Sequence, residues 1–234
     1  MSAIFVSGAT GNIGKEVVNQ LVSKGVKVRA AVHSEEKAKS LKGLGIETIV
    51  VDFNDVQSIA NGLRGVEKAF SMSPLVPNLG ELGAKFVEAA KIAGVKYIVR
   101  SSGMGADSPH AITLGKWHRK AEQPLEESTI AYTILRPNSF MQNYINFSSH
   151  SIKVNNAFYL PQGDGKISLI DVRDIASVIA EIITKGGHEG KAYNLTGPEA
   201  ISNYTLAEIL SKETGRTINY VDVPEDAARN SMRE

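Results

Sequence analysis

Ile4-Phe5-Val6-Ser7-Gly8-Ala9-Thr10-Gly11-Asn12-Ile13-Gly14 sets three glycines at intervals of three between a short apolar run and a second apolar pattern, Ile13, Val17, Val18, Leu21 and Val22. An apolar run of strand length, then glycines, then helical periodicity reads as a strand passing through a tight turn into a helix. Such a turn can hold a pyrophosphate. Gly8 takes the backbone angles of the turn, Gly11 leaves no side chain between backbone and phosphate, and Gly14 lets the helix lie close to the strand. The free N–H groups of the first helical turn then face the anion, and Thr10, Asn12 and Ile13 complete the set expected there. The spacing Gly-x-x-Gly-x-x-Gly departs from the commoner Gly-x-Gly-x-x-Gly, so the strand–turn–helix context carries the reading.

The segment Val28-Arg29-Ala30-Ala31-Val32-His33-Ser34-Glu35-Glu36-Lys37 bears on which nucleotide fits. An Asp or Glu ending this strand would accept from the adenosine 2′-hydroxyl and repel a 2′-phosphate; His33, Ser34 and Lys37 offer donors and positive charge instead. NADP(H) is therefore favoured over NAD(H). Ser34 also suits the N-cap of the next helix, with Glu35 and Glu36 in its first turn. Asp52, at the end of the third apolar run, can accept from the adenine amino group while Phe53 covers the ring, and Asp55 is the better helix cap.

These residues need elements to hold them. Strands are expected at 26–32, 46–51, 66–71, 97–101 and 132–135, separated by helices near 35–41, 56–63, 79–93 and 114–127. This alternation predicts an α/β fold, a doubly wound parallel sheet with right-handed crossovers covered by helices on both faces. Ligands of such sheets bind beyond the carboxyl ends of the strands. Ser71, Met72, Ser73 and Pro74, then Ser101, then Pro137 and Asn138, are accordingly expected to border the nicotinamide end of the cofactor. Residues 1–137 form the expected nucleotide-binding core. Residues 138–234, looser in pattern, with helices near 171–184 and 205–214, form an expected substrate lobe whose elements partly return to the core. There Phe140, Met141, Asn143 and Tyr144 suit an aromatic ligand, as do Phe147 and Phe158, although Phe140 and Met141 equally suit a packed hinge.

Composition excludes several classes of function. The 234 residues are 42% hydrophobic with a formal net charge of +1, from 26 basic and 25 acidic side chains in no long run of one sign. That leaves no electrostatic footprint for nucleic acid or an anionic membrane. The absence of cysteine removes disulfides, thiolate metal sites and cysteine nucleophiles, and no metal site is expected, Asp171-x-x-Asp174 reading as a helix start. No export signal and no run of about 18 apolar residues is read, so a cytoplasmic location is expected, as a monomer or a homodimer.

Further motifs carry a family resemblance. They are Asp52-Phe53-Asn54-Asp55, Gly94-Val95-Lys96-Tyr97-Ile98, Trp117-His118-x-x-x-Glu122, Thr133-Ile134-Leu135-Arg136-Pro137-x-x-Phe140-Met141-x-Asn143, Asp171-Val172-Arg173-Asp174 and Lys191-Ala192-Tyr193-Asn194-Leu195-Thr196-Gly197. With the glycine turn, they make the chain resemble the atypical short-chain dehydrogenase/reductases that include NmrA-like proteins and triphenylmethane reductase. The resemblance implies an NADP-binding Rossmann core with a small C-terminal substrate lobe, and hydride transfer to an electron-poor aromatic molecule. Ordinary members of the wider superfamily place Tyr-x-x-x-Lys on the helix after the fifth strand; here those positions fall on Leu114 and His118. Acid–base chemistry by a tyrosinate is lost. His118 is left as the catalytic candidate, hydrogen-bonding the nicotinamide ribose or supplying a proton near neutral pH, or else lying on the helix surface. Arg136 is expected to pair with Asp171 or Asp174. The leading expectation is an NADPH-dependent reductase of quinone, azo or triarylmethane compounds; the alternatives are an NmrA-like redox sensor without turnover and a sugar-nucleotide epimerase or dehydratase.

Overall fold

The computed structural model describes residues 2–43 and 45–231. Seven strands form a single parallel sheet: β1 (Ile4–Val6), β2 (Val28–Val32), β3 (Glu47–Val50), β4 (Lys68–Ser71), β5 (Tyr97–Ser101), β6 (Ala131–Pro137) and β9 (Lys191–Leu195), in the order β3-β2-β1-β4-β5-β6-β9. Every pairing in it is parallel, with Phe5 opposite Arg29 on one side and Ala69 on the other. This is the doubly wound order expected of a Rossmann fold, and strand order reverses between β1 and β4.

The crossovers are α1 (Asn12–Ser23), α2 (Glu35–Lys39), α3 (Val56–Leu63), α4 (Leu79–Ala93), α5 (Thr113–Glu126) and, after an excursion of the chain, α7 (Val172–Lys185). On one face of the sheet Phe5, Ala31, Ala69 and Ile98 meet Ile59, Leu63, Phe86 and Ala90. Alternation along the strands turns Ile4, Val6, Phe70 and Val99 to the other face, where α1 and α7 pack on each other. The helices start and stop as local chemistry dictates. Ser34 caps α2 by accepting from the Lys37 N–H at 3.3 Å, Asp55 caps α3 by accepting from the Gln57 N–H at 2.9 Å, and Gly94 ends α4 at φ +75°.

By contact density the chain divides into two units, Met1–Pro137 with Val172–Leu195, and Asn138–Asp171 with Thr196–Glu234. The first is the seven-stranded core. The second contains a π-helical turn (Tyr144–Ser148), α6 (Ser149–Asn155), β7 (Ala157–Leu160), β8 (Lys166–Ile167), β10 (Ile201–Ser202), α8 (Asn203–Thr214), β11 (Asn219–Asp222) and α9 (Glu225–Ser231). Its two small sheets pair β7 with β11 in parallel and β8 with β10 antiparallel, and Phe158 of β7 and Tyr220 of β11 form a core with Ala207 and Ile218.

Tyr144 and Phe158, both expected to line a substrate roof, meet in one aromatic cluster within this unit. Phe158 is fully buried, stacked on Tyr220 at 5.4 Å and edge-on to Tyr144 at 5.6 Å. The Tyr144 hydroxyl donates to Asn203 Oδ1 at 2.6 Å. An aromatic cluster burying this much apolar surface is the core of a small unit, which the loose sequence pattern did not reveal.

Candidate functional site

The glycine turn has the geometry that a phosphate cradle requires. Gly8 sits at φ +62°, a conformation that side-chain-bearing residues seldom adopt, and its carbonyl accepts from the Gly11 N–H at 2.9 Å. A Cβ placed on Gly14 would stand 2.0 Å from the Gly8 carbonyl oxygen, so only glycine lets α1 start this close to the turn. At Gly11 the same atom would be 3.3 Å from that oxygen, a tight fit. Among the described residues, no side chain caps α1, whose N-cap is Gly11 and whose first turn holds no acid. Its leading N–H groups are therefore left for an anion.

A cleft of about 780 Å³ opens over this turn at the strand-order reversal. Gly8, Thr10, Gly11, His33, Asp52, Phe53, Met72, Ser73 and Pro74 all line it, contributed by the ends of four strands. Sequence reasoning had not singled out Asn78 and Leu82 at the start of α4, which also line it; Asn78 caps that helix by position but makes no side-chain cap bond. Asp52 uses Oδ1 to accept from the Asn54 N–H at 2.9 Å, a local turn that fixes the carboxylate beside Phe53.

The other expected residues fall outside this lining. Asn12 and Ile13 open α1, Ile13 facing the core. Ser34 and Lys37 belong to the start of α2. Ser71 and Ser101 end their strands buried, and Ser71 Oγ accepts from Arg100 Nη1 at 3.4 Å. Pro137 closes β6 and its carbonyl accepts from the Met104 N–H at 3.0 Å. In the second unit, Asn138 Oδ1 accepts from the Ser139 N–H, Phe140 bridges Ile170, Met141 is exposed, and Asn143 Nδ2 donates to Ser139 Oγ at 3.2 Å.

Beyond the ends of β5 and β6 lies a buried polar network. Glu122, on α5 and without solvent exposure, accepts four hydrogen bonds. Ser102 Oγ (2.5 Å) and Arg136 Nε (2.9 Å) reach Oε1; Arg136 Nη2 (2.8 Å) and Arg119 Nη1 (2.9 Å) reach Oε2. Burial pushes this carboxyl up, but the bonds from Arg136, Ser102 and Arg119 outweigh it and hold Glu122 below the usual carboxylate range. Arg136 also grips Asp107. Its partners are thus Glu122 and Asp107 rather than the Asp171 or Asp174 expected, because the α5 turn and the β5–α5 loop bring acids against β6 from distant points of the sequence.

His118 and Arg100 lie in the same region. Among the described residues His118 Nδ1, Arg100 Nε and Arg100 Nη2 are buried without a hydrogen-bond partner. Burial, and then the Arg100 charge, lower His118 to about 4 against the opposing pull of Glu122; burial lowers Arg100 to about 10. His118 is therefore a neutral imidazole near pH 7, not the proton-carrying group that an ordinary histidine titration range suggests. It packs against the β5–α5 loop, where a Cβ on Gly103 would stand 3.2 Å from His118 Nε2. No group of three metal-ligating side chains occurs among the described residues, and no helix there is long and apolar enough to cross a membrane.

A model of the NmrA-like family matches residues 1–233. The chain belongs to the NmrA-like family. This NmrA-like protein is 39% identical over 229 residues to an NAD(P)H azoreductase of Xenophilus azovorans, covering 98% of the chain and 80% of that relative. Its fold matches the NADPH-dependent quinone oxidoreductase of Escherichia coli in complex with NADPH, at a TM-score of 0.87 and 33% identity over 98% of this chain and 82% of the other. It matches triphenylmethane reductase of Citrobacter sp. complexed with NADP(H) at 0.87 and 29% identity, with the same coverage. The NmrA-like protein thus shares its Rossmann core with solved NADPH complexes. Its own residues fit such a group: an uncapped helix start, a cradle that a Cβ at Gly14 would fill, and a cleft over both.

Proposed function

We propose that this NmrA-like protein is an NADPH-dependent reductase that passes hydride to an electron-poor aromatic acceptor of the quinone, azo or triarylmethane type. The observation that carries the reading is the cleft at the strand-order reversal, floored by the glycine turn and the uncapped start of α1. Bound NADPH supplies the hydride; the chain supplies binding and orientation.

The N–H groups leading α1, with Gly8, Thr10 and Gly11, hold the pyrophosphate. His33, Ser34 and Lys37 serve a 2′-phosphate where a carboxylate would repel it, and Asp52 with Phe53 receives the adenine. Ser71, Met72, Ser73, Pro74 and Ser101 border the nicotinamide end. In the second unit Phe140, Met141 and Asn143 are assigned to the acceptor. Leu114 stands where a tyrosine acid would be, and His118 is neutral, so neither of these two positions supplies a strong acid at this end. Acceptors whose proton comes from water, or that need none, suit this arrangement, with positioning as the main source of rate.

Two relatives by name reduce azo and quinone compounds, in support of the acceptor class. NADPH oxidation followed at the nicotinamide absorbance, with quinones, azo dyes and triarylmethane dyes added in turn, tests the reading. Loss of NADPH that depends on acceptor supports it. Tight nucleotide binding with no turnover would favour a nucleotide-sensing protein instead.

A further inference from the structure

We propose that Glu122 is a positioning residue for hydride transfer, which locks Ser102 as a hydrogen-bond acceptor and, through Arg136 and Asp107, holds the β5–α5 loop (102–112) in its working place. The inference rests on the reading that NADPH and acceptor meet beyond the carboxyl end of β5.

A carboxylate has about four lone-pair sites, and all four of Glu122 are filled, one by the Ser102 hydroxyl and three by two guanidinium groups. Ser102 cannot turn its proton to a ligand without leaving a buried charge under-satisfied. It presents only lone pairs, to partners that donate: a ribose hydroxyl or a carboxamide N–H. The neighbouring backbone is equally fixed, since the Ser102 N–H donates to the Leu135 carbonyl at 2.7 Å and the Met104 N–H to Pro137 at 3.0 Å, extending the β5–β6 pairing past the strand ends.

Further along the loop the anchor is Asp107. Its side chain is 54% exposed, while its partner Arg136 is 8% exposed and Glu122 is fully buried. The network therefore runs from a buried centre at Glu122 to two solvent-facing ends, Arg119 with Glu126 on α5 and Asp107 on the loop, and Asp107 is the one that tethers the loop. It gives one role to two motifs that sequence reasoning left apart: the glutamate four residues after His118, and the arginine before Pro137. Gly103 on that loop lies against His118 of α5, so loosening of the loop alters the contact between them.

The test uses the full chain with Asp107→Ala, Ser102→Ala and Ser102→Thr. Hydrogen exchange without cofactor reads the tether: Asp107→Ala is expected to speed exchange at 103–112 about tenfold while other amides stay protected. Kinetics with NADPH and a quinone read positioning. Asp107→Ala and Ser102→Ala are expected to lower kcat about tenfold, with NADPH Kd held within about twofold and a larger isotope effect from 4-deuterated NADPH; Ser102→Thr, which keeps the hydroxyl, restores most of kcat. Unchanged kcat and unchanged exchange in both alanine variants overturn the inference while leaving the reductase reading intact. A fall in kcat that only follows lost thermal stability or lost NADPH affinity overturns it as well. No turnover by the unsubstituted chain overturns the reading and this inference with it.

Discussion

Replacing Gly14 with alanine tests the phosphate turn at its tightest point. The added methyl would stand 2.0 Å from the Gly8 carbonyl oxygen, 2.6 Å from its carbon and 3.0 Å from Ala9 N. All three are backbone atoms, so no change of rotamer relieves the overlap. Bringing the oxygen contact out to 3.0 Å requires the turn and the start of α1 to part by about 1 Å. Close-packed surroundings resist such a shift, and overpacking of this kind costs about 1–3 kcal/mol. The displacement falls on the groups that would receive the pyrophosphate, so much of the cost is expected as lost affinity, about ten- to hundredfold in NADPH Kd at 1.4 kcal/mol per decade. Gly25→Ala is the control. Gly25 has φ +73° with nothing within 4 Å of an added Cβ, so alanine there costs about 1 kcal/mol of stability through backbone conformation alone and leaves Kd unchanged. Titration of NADPH fluorescence, paired with thermal unfolding, separates the two. A Gly14→Ala variant that binds NADPH as the unsubstituted chain does would refute the placement of the cradle.

Other expectations follow from the same geometry. His118 titrates near 4 when folded and about 6.5 when unfolded, so the unfolded chain binds the extra proton between those values. Stability from this group is present above about pH 6.5 and is lost as pH falls toward 4, by up to about 3 kcal/mol, and His118→Asn should flatten that limb of a plot of Tm against pH. An equally steep limb in the variant would show that His118 is not the cause. Glu122→Ala strands buried Arg136 and should destabilise the fold by about 3–5 kcal/mol, whereas Glu122→Leu with Arg136→Met should recover much of the loss; chemical denaturation of both reads the difference. His33→Asp should shift preference from NADPH toward NADH through repulsion of the 2′-phosphate, measured as the ratio of the two kcat/KM values. An unchanged ratio would place that phosphate elsewhere.

Much of the core was legible in the sequence because parallel strands buried on both faces are plain apolar runs and crossover helices are strongly periodic. Helices at Val56–Leu63 and Leu79–Ala93 and the strand at Tyr97–Ser101 occupy the expected spans. The seventh strand, β9, was not read as a strand. It is a short edge of half-exposed residues, Lys191-Ala192-Tyr193-Asn194-Leu195, with no apolar run to announce it. The second unit hid its strands for a similar reason: β8 and β10 have two residues each, and its aromatic core is assembled from separated segments. At the candidate site, local chemistry was readable and long-range pairing was not. The glycine turn and the Ser34 cap depend on neighbours within a few residues. The partners of Arg136 and the burial that keeps His118 neutral depend on helix α5 lying where only the tertiary fold puts it.

The most direct test of the central claim is NADPH oxidation by the purified chain with a quinone, run beside acceptor-free and NADH controls. The account predicts oxidation that needs the quinone, proceeds faster with NADPH than with NADH, and at low NADPH concentration falls together with NADPH affinity in Gly14→Ala. Binding of NADPH at the cradle without any acceptor-dependent oxidation, across quinones, azo dyes and triarylmethane dyes alike, would contradict it.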